Sequence, residues 1–373
     1  MPDAHGRGLG AVRRAVLKLG SSTLAAIDLD ALVDALVAVR GGGVEVAIVT
    51  SGAVASGMER LGIGERPKEL ATKQALAAVG QVHLMARYRA SFARHGVECA
   101  QLLLTHEDLS NRRHFMSVRH TLGELFALGV VPIANENDTV ATEELRFGDN
   151  DRLAAAFATV ADADLVILLS DIDALYDADP RRVPEARPIR EVPTIDDRVR
   201  AVAGAAGSGV GTGGMVSKVQ AAEIATEAGI PLVIARGDDP ALIAAIVHGE
   251  PVGTCFLPNR KVDRRRHWIH FLSKLKGTIS VDAGALRALR ERGSSLLPIG
   301  VTTVRGQFVR GDAVAIAGPD GAVVARGLVG YDHETLARIR GQRSDAAAEL
   351  LDRAAIDPVV HRNDMVLADE PAH

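Results

Sequence analysis

The sequence predicts an α/β protein in two parts: a three-layer domain built on a mostly parallel sheet with helices on both faces, then a small, mainly β domain from about residue 277. Three observations carry this. Continuous apolar runs alternate with helical stretches through the first two thirds of the chain, as they do where strands are buried on both faces. The length of 373 residues suits two domains at about 150 residues each. Beyond residue 277 the segments shorten and are separated by turns rich in Gly, Ser, Asp and Pro.

In order, Ala15–Leu19 is the first strand and stops at Gly20-Ser21-Ser22. A helical stretch covers 28–40, and Val44–Thr50 (VEVAIVT) is a continuous apolar strand broken by Ser51-Gly52. Residues 71–94 read as a helix, Val97–Leu104 as a strand, 112–128 as a helix and Val130–Ala134 as a strand. A helix over 151–161 leads to the strand Leu165–Leu169, bounded by Asp164 and by Ser170-Asp171. A helix over 215–228, starting near Met215, leads to the strand Pro231–Ala235. The pattern changes near residue 250. The basic run Arg264-Arg265-Arg266-His267 is a linker or a solvated face. Gly300–Val304, Ala313–Ala317 and Ala322–Gly327 alternate as half-buried strands, with a hairpin turn at Asp320-Gly321. The stretch after about Ile356 reads as a polar, fraying tail. The expected division is 1–263, a linker over 264–276, and 277–373.

Composition excludes several classes of function. Hydrophobic residues make up 47% and charged residues 24%, which is too apolar for a disordered chain. Aromatics are 3%, so the core must rest on Ala, Val, Leu and Ile. The longest apolar run, Ala241–Val247, falls far short of the ~18 residues of a membrane span. Met1–Arg14 has charges but no apolar h-region, so no secretory leader is expected. A net charge of −4 gives no nucleic-acid footprint for the chain as a whole, which leaves only a local patch open. Cys99 and Cys255 stand far apart, which argues against a disulfide scaffold or zinc site and for a reducing cytoplasm. Of 43 cationic side chains only seven are lysine.

In parallel sheets ligands gather at the carboxyl ends of the strands, so the residues after each strand are the candidates. Lys18 lies inside an apolar strand beside a glycine turn. It either meets an anion or snorkels from an edge strand. Gly209–Gly214 formally satisfies G-x-G-x-x-G, but Arg200–Ser208 before it is no strand, and a dinucleotide fingerprint needs one. No G-x-x-x-x-G-K-[ST] occurs, which excludes a Walker-type loop. What remains is a glycine loop opening a helix, with Ser217-Lys218 in the first turn. That is either an anion site, since helix N-termini attract anions, or a surface loop with a solvated lysine. In a chain that prefers arginine, both candidates for a phosphate are lysine, the compact point charge. Asn135-Glu136-Asn137-Asp138 follows a strand and Asp149-Asn150-Asp151 precedes a helix. Each alone reads as capping and turn chemistry. Together they suit an amino acid's ammonium group and cations to be held in place. Ser51-Gly52-Ala53 offers donors to a carboxylate or phosphoryl oxygen, and no G-x-S-x-G surrounds Ser51. The histidines have no metal-ligand spacing, so no protein metal site is expected.

VLKLGSS, IVTSGAVASG, KQALAAVGQ, NENDTVAT, FGDNDRLAA, SDIDALYDADPR and GTGGMVSKVQAA occur in the order seen in the glutamate 5-kinases, a branch of the amino-acid kinase family. RGSSLLPIGV, RGDAV and VHRNDM resemble the PUA domain attached to bacterial members of that branch. The resemblance spans nearly all of the chain past its first dozen residues. Ser170 stands where some relatives have threonine, and Ile172-Asp173-Ala174 is variable ground. The resemblance implies the amino-acid kinase fold followed by a PUA domain. It also implies ATP-dependent phosphorylation of the side-chain carboxylate of L-glutamate, the first step from glutamate to proline.

By motif match Lys18 and the segment Thr212, Gly213, Gly214, Met215, Val216, Ser217 and Lys218 meet the ATP phosphates, with Ser170 and Asp171 near the nucleotide. Ser51, Asp138 and Asn150 bind glutamate, and Asp151 holds the two lysines in position. Mg²⁺ is expected to ride on ATP oxygens. Proline is the expected feedback inhibitor, a homo-oligomer the expected assembly, and γ-glutamyl phosphate reductase the expected recipient of the product. No membrane partner is expected. Two rivals stand beside this: another amino-acid kinase, acting on acetylglutamate or aspartate, and an RNA-binding PUA protein with Arg264–Arg266, Lys274 and Lys276 as its basic patch.

Overall fold

The computed structural model describes residues 9, 11–141, 150–205, 214–258, 275–352 and 355–368. Asp149, Gly209, Gly211, Thr212, Gly213, Arg264–Arg266 and Lys274 lie outside the described residues. The chain divides into two compact units, Met1–Leu109 with Phe115–Asn259, and Ser110–His114 with Arg260–His373.

The elements run β1 (Arg14–Leu19), α1 (Ser21–Ala26), α2 (Leu29–Gly41), β2 (Glu45–Thr50), α3 (Ala53–Leu61), α4 (Leu70–Ala93), β3 (Cys99–Leu104), α5 (His106–Ser110), α6 (Arg112–Ala127), β4 (Val131–Glu136), α7 (Asn150–Val160) and β5 (Leu165–Ser170). They continue with β6 (Leu175–Tyr176), β7 (Pro188–Ile189), β8 (Glu191–Val192), α8 (Asp197–Ala205), α9 (Met215–Glu227), β9 (Leu232–Arg236), α10 (Ala241–Val247) and β10 (Thr254–Phe256).

Eight strands form one sheet in the order β3-β4-β2-β1-β5-β9-β10-β8. Every pairing from β3 to β9 is parallel, and only β9–β10 is antiparallel. The strands are apolar on both faces because helices cover both. Ala15, Leu17 and Leu19 pack into one cluster with Leu32 and Leu36 of α2, Tyr88 and Phe92 of α4, and Ile243 of α10. Their alternation sends Val16 and Lys18 to the opposite face. There α7 packs on β1 and against α9. The chain first builds outward from β1 through β2, then returns to add β5 on its other side, so β1 and β5 flank a switch in strand order where ligands bind at the carboxyl ends.

Helices α3 and α4 cross with their backbones in contact. A Cβ on Gly80 would stand 1.8 Å from the Ala53 carbonyl oxygen, and one on Gly57 2.0 Å from that of Leu76, so neither position has room for a side chain. This crossing presses α4 close to the turn where β2 ends.

The second unit's described elements are β11 (Leu275–Val281), α11 (Ala283–Arg292), β12 (Val301–Gly306), β13 (Ala313–Ala317), β14 (Val323–Val329), α12 (His333–Ile339), α13 (Ser344–Leu350) and β15 (Val360–Leu367). Its sheet runs β12-β11-β13-β14-β15 around a core of Ile279, Val314, Ile316, Leu336 and Val360. Asp282 and Asp332 cap α11 and α12 by accepting from Ala285 N–H and Thr335 N–H. The hairpin at Asp320-Gly321 joins β13 to β14, with Gly321 at φ +82°.

The fraying tail expected after Ile356 is overturned: Val360–Leu367 is an edge strand paired with β14. Its polar centre bulges between the pairs Val329–Val360 and Gly327–Met365, so Val360, Met365 and Val366 are buried while His361–Asn363 face solvent. The strand before Asn135 is also longer than its apolar run, since Asn135 and Glu136 are its last residues. Among the described residues no helix is long and apolar enough to cross a membrane.

At the end of α9, Glu227 is half-buried beside Glu223. Burial first and the like charge of Glu223 second push its carboxyl up to about 7, against the opposing pull of Arg200. The folded chain therefore keeps a proton that the unfolded chain loses near 4.5, and stability from this group falls as pH rises from 4.5 through 7. Glu227→Gln is expected to raise the melting temperature over wild type at pH 8 and to lose that margin at pH 5, measured by thermal unfolding at both.

Candidate active site

On the α7 side of β1 three side chains from distant parts of the chain converge. Lys18 is 6% exposed in a central strand, which settles its two readings: it is not a snorkelling edge residue. Asp151, in the first turn of α7, is fully buried, and Lys218, in the first turn of α9, is 5% exposed. Lys18 Nζ pairs with Asp151 Oδ1, and Lys218 Nζ donates to Asp151 Oδ2 at 3.0 Å. Ser217 Oγ stands 3.1 Å from the same Oδ2 and 2.8 Å from the Gly214 carbonyl at the mouth of the helix.

The local sequence explains the positions. Alternation along β1 places Lys18 on this face, and α7 and α9 lie side by side, so their first turns meet over it. A helix N-terminus favours the Asp151 charge and disfavours that of Lys218. Burying a lysine against that dipole is costly unless anions surround it. Burial alone would raise the Asp151 carboxyl, but the ammonium groups of Lys18 and then Lys218 outweigh it and hold the carboxyl below its usual range. Two ammonium groups gathered on one carboxylate among the described residues suit a polyanionic ligand.

A second cluster adjoins the first through Asn150, the neighbour of Asp151. Asn150 Nδ2 lies 2.6 Å from the Thr50 carbonyl, 2.9 Å from Ser51 Oγ and 2.8 Å from Asn135 Oδ1. Ser51 N–H donates to the Leu19 carbonyl at 3.0 Å, which ties the ends of β2 and β1 together. Gly52 follows at φ +101°, a left-handed turn that glycine adopts without strain and that starts α3. Thr50 Oγ1 lies 3.0 Å from the hydroxyl of Tyr88, whose pKa burial pushes up to about 12, so it stays a neutral phenol.

The remaining candidates spread outward from here. Asp138 is half-buried in the turn just past β4. Ser170 ends β5, the neighbour of β1, and its hydroxyl donates to Asp171 at 3.0 Å. Gly214 and Met215 open α9, while Val216 is 45% exposed and turned from the cluster that Ser217 and Lys218 join. Thr212 and Gly213 lie outside the described residues. Gln81 and the wiring of Asn135, whose Nδ2 donates to Gln81 Oε1 at 2.8 Å, were missed in the sequence. The signal available was one amide inside each of two apolar runs, AAVGQVHL and VVPIANE. A cavity of about 400 Å³ lies at the opposite, amino ends of β1 and β5, where Arg14 already pairs with Glu45 and Arg119 with Asp162. Among the described residues no group of three His, Cys, Asp or Glu side chains is placed to hold a metal ion.

The amino acid kinase family model matches residues 13–236, and the PUA domain model matches 277–351. The glutamate 5-kinase of Carboxydothermus hydrogenoformans is 46% identical over 366 residues, covering 96% of this chain and 98% of its own. That of Shewanella amazonensis is 47% identical over 365 residues, covering 96% of each chain. That of Thermus thermophilus is 46% identical over 364 residues, covering 96% of this chain and 98% of its own.

Proposed function

The chain belongs to the amino acid kinase family, in the branch of the glutamate 5-kinases, and from that membership we propose that the cluster at the carboxyl end of β1 is its phosphoryl-transfer site. The reaction is phosphorylation of the L-glutamate side-chain carboxylate by ATP, the first step from glutamate to proline. The observation that supports this siting is the buried arrangement of Lys18 and Lys218 on Asp151.

In this reading the ATP phosphates lie against Lys18, Lys218 and the amides of 212–218, with Ser170 and Asp171 toward the nucleoside. Glutamate lies against Ser51, Asp138 and Asn150. A glutamate side chain with a pKa of ~4.3 is ionised at pH 7, so the nucleophile needs no general base. One carboxylate oxygen bonds to the γ-phosphorus of ATP as the bond from that phosphorus to the β,γ-bridging oxygen breaks, and ADP leaves with that electron pair. The protein's task is alignment and positive charge on the transferred group. The two ammonium groups supply the charge, and Asp151 fixes their spacing. Mg²⁺, held through ATP oxygens with few protein ligands, would supply further positive charge to the site beside Lys18 and Lys218.

The chemistry is assigned to 1–263, a linker to 264–276, and 277–373 to the PUA-like domain with its C-terminal end. A cytoplasmic homo-oligomer that hands its acyl phosphate to a reductase completes the reading. Proline carries the α-carboxylate and nitrogen of glutamate without the side-chain nucleophile, so it occupies the glutamate site without reacting. The test is ATP turnover with glutamate, N-acetylglutamate and aspartate, trapped with hydroxylamine. Hydroxamate is expected from glutamate, and its formation from one of the others alone would overturn the reading. Millimolar proline is expected to slow the reaction at low glutamate, and an unchanged rate would remove the inhibition from it.

A further inference from the structure

The turn that ends β2 carries a pair of hydroxyls that the reaction itself does not use. Thr50 Oγ1 lies 3.2 Å from the Ser51 carbonyl, which can only accept, so the single Thr50 hydroxyl hydrogen is committed there. On its other side Thr50 Oγ1 lies 3.0 Å from the Tyr88 hydroxyl. Tyr88 is fully buried on α4 and keeps its phenolic hydrogen, so Tyr88 donates and Thr50 accepts. The sense of both bonds is thereby set, from Tyr88 to Thr50 and from Thr50 to the Ser51 carbonyl. Tyr88 reaches this turn because Gly80, earlier in α4, has no side chain to hold α4 off α3. The Ser51–Gly52 peptide is trans and planar, so the Gly52 N–H points opposite to the Ser51 carbonyl. Gly52 does not fix that direction by itself. Its φ is +101°, and glycine populates either sign of φ about as readily, so this peptide turns over unless a neighbour holds it. The Thr50 hydroxyl is that neighbour.

We propose that Thr50 and Tyr88 are positioning residues for the glutamate site: the Tyr88 phenol holds the Thr50 hydroxyl on the Ser51 carbonyl, and that bond keeps the Ser51–Gly52 peptide with its N–H, rather than its carbonyl, toward a bound carboxylate. This rests on the reading that Ser51 and Asn150 bind glutamate. The Ser51 N–H is already committed to the Leu19 carbonyl at 3.0 Å, so the Gly52 amide is the next backbone donor at this turn. With the peptide turned over, a carbonyl would stand in its place and meet the carboxylate acceptor against acceptor.

Removing one hydroxyl strands the other, whereas removing both does not, and this separates positioning from folding. Thr50→Val keeps the branched shape and leaves the buried Tyr88 hydroxyl unsatisfied, so the melting temperature is expected to fall. Combining Thr50→Val with Tyr88→Phe removes both partners, and the melting temperature is expected to return toward wild type. The Ser51–Gly52 peptide is still unheld in that double variant. In both proteins KM for glutamate, and the glutamate Kd from calorimetry without ATP, are expected to rise about five-fold, the effect of losing one net hydrogen bond, while KM for ATP holds. Tyr88→Phe alone leaves the Thr50 hydroxyl present but unsupported, and is expected to fall between wild type and Thr50→Val. Thr50→Ser keeps the hydroxyl and should stay within about two-fold of wild type, by the same scale. A wild-type KM for glutamate in the double variant would overturn the proposal. So would a KM for ATP that rises as much as that for glutamate, or Thr50→Ser as impaired as Thr50→Val. Wild-type protein that phosphorylates another acid but not glutamate would overturn the proposed reaction itself, and this assignment with it.

Discussion

Lys218→Ala is expected to lower kcat by about 10²–10³, the effect of removing one donor aimed at charge that develops in the transition state. Glutamate binding should change far less, because Ser51 and Asn150 form a separate cluster one residue along α7. The buried ammonium sits 3.0 Å from Asp151 and cannot be replaced by solvent at that depth. Lys218→Arg is the sharper variant, since it keeps the charge in a chain that otherwise prefers arginine. A guanidinium is larger and forked, so it displaces the transferred group and costs about 10-fold or more, as aligned reactants are sensitive to small displacements. Steady-state kinetics on folded protein decide it. Wild-type turnover in both variants would withdraw the catalytic assignment of Lys218 and leave it a structural partner of Asp151. The same argument applies to Lys18.

Asp151→Asn should damage both stability and turnover. It leaves two buried ammonium groups without the carboxylate they share, and removing one partner of a buried ion pair typically costs about 3–5 kcal/mol. Because the Asp151 carboxyl is held below its usual 3.8, its contribution is complete above that value and is lost only as pH falls through the folded-state pKa. The deficit of the Asn variant in urea unfolding should therefore be constant between pH 8 and pH 5. This separates it from the effect at Glu227, which changes across that same interval. A deficit that disappears by pH 5, or none at pH 7, would contradict the buried-pair account.

Much of this architecture is legible in the sequence where one physical signal dominates. β1, β2, β5 and β9 are runs buried on both faces, and each begins and ends within about a residue of its apolar stretch, inside the usual margin for element ends. Of helix α3 only the start was legible, as the strand-to-helix junction at Ser51-Gly52-Ala53, because its path is set by glycine contacts with α4 and its own apolar pattern is short. β15 was misread because a bulge puts four consecutive polar residues opposite one partner, which breaks the alternation a strand normally shows.

At the site, Lys18, Asp151 and Lys218 were each ambiguous alone, since an isolated lysine or a capping aspartate has an ordinary explanation. Only their order among the family's blocks joined them. The amide cluster lay beyond reach for a different reason. Residues 81, 135 and 150 come from three elements, and the sense of each amide depends on backbone groups of Thr50 and Glu136 that only the folded strand ends bring near.

An oxygen-isotope experiment follows the reacting bond itself. Glutamate labelled with ¹⁸O in its side-chain carboxylate is incubated with ATP and the enzyme, and hydroxylamine then cleaves the product at the acyl carbon. If the carboxylate attacks the γ-phosphorus, as the absence of any need for a general base requires, the released phosphate carries one ¹⁸O from glutamate. Phosphate without ¹⁸O would mean that water, and not the glutamate carboxylate, takes the phosphoryl group. That would contradict the assignment of the Lys18–Asp151–Lys218 cluster to phosphoryl transfer onto glutamate.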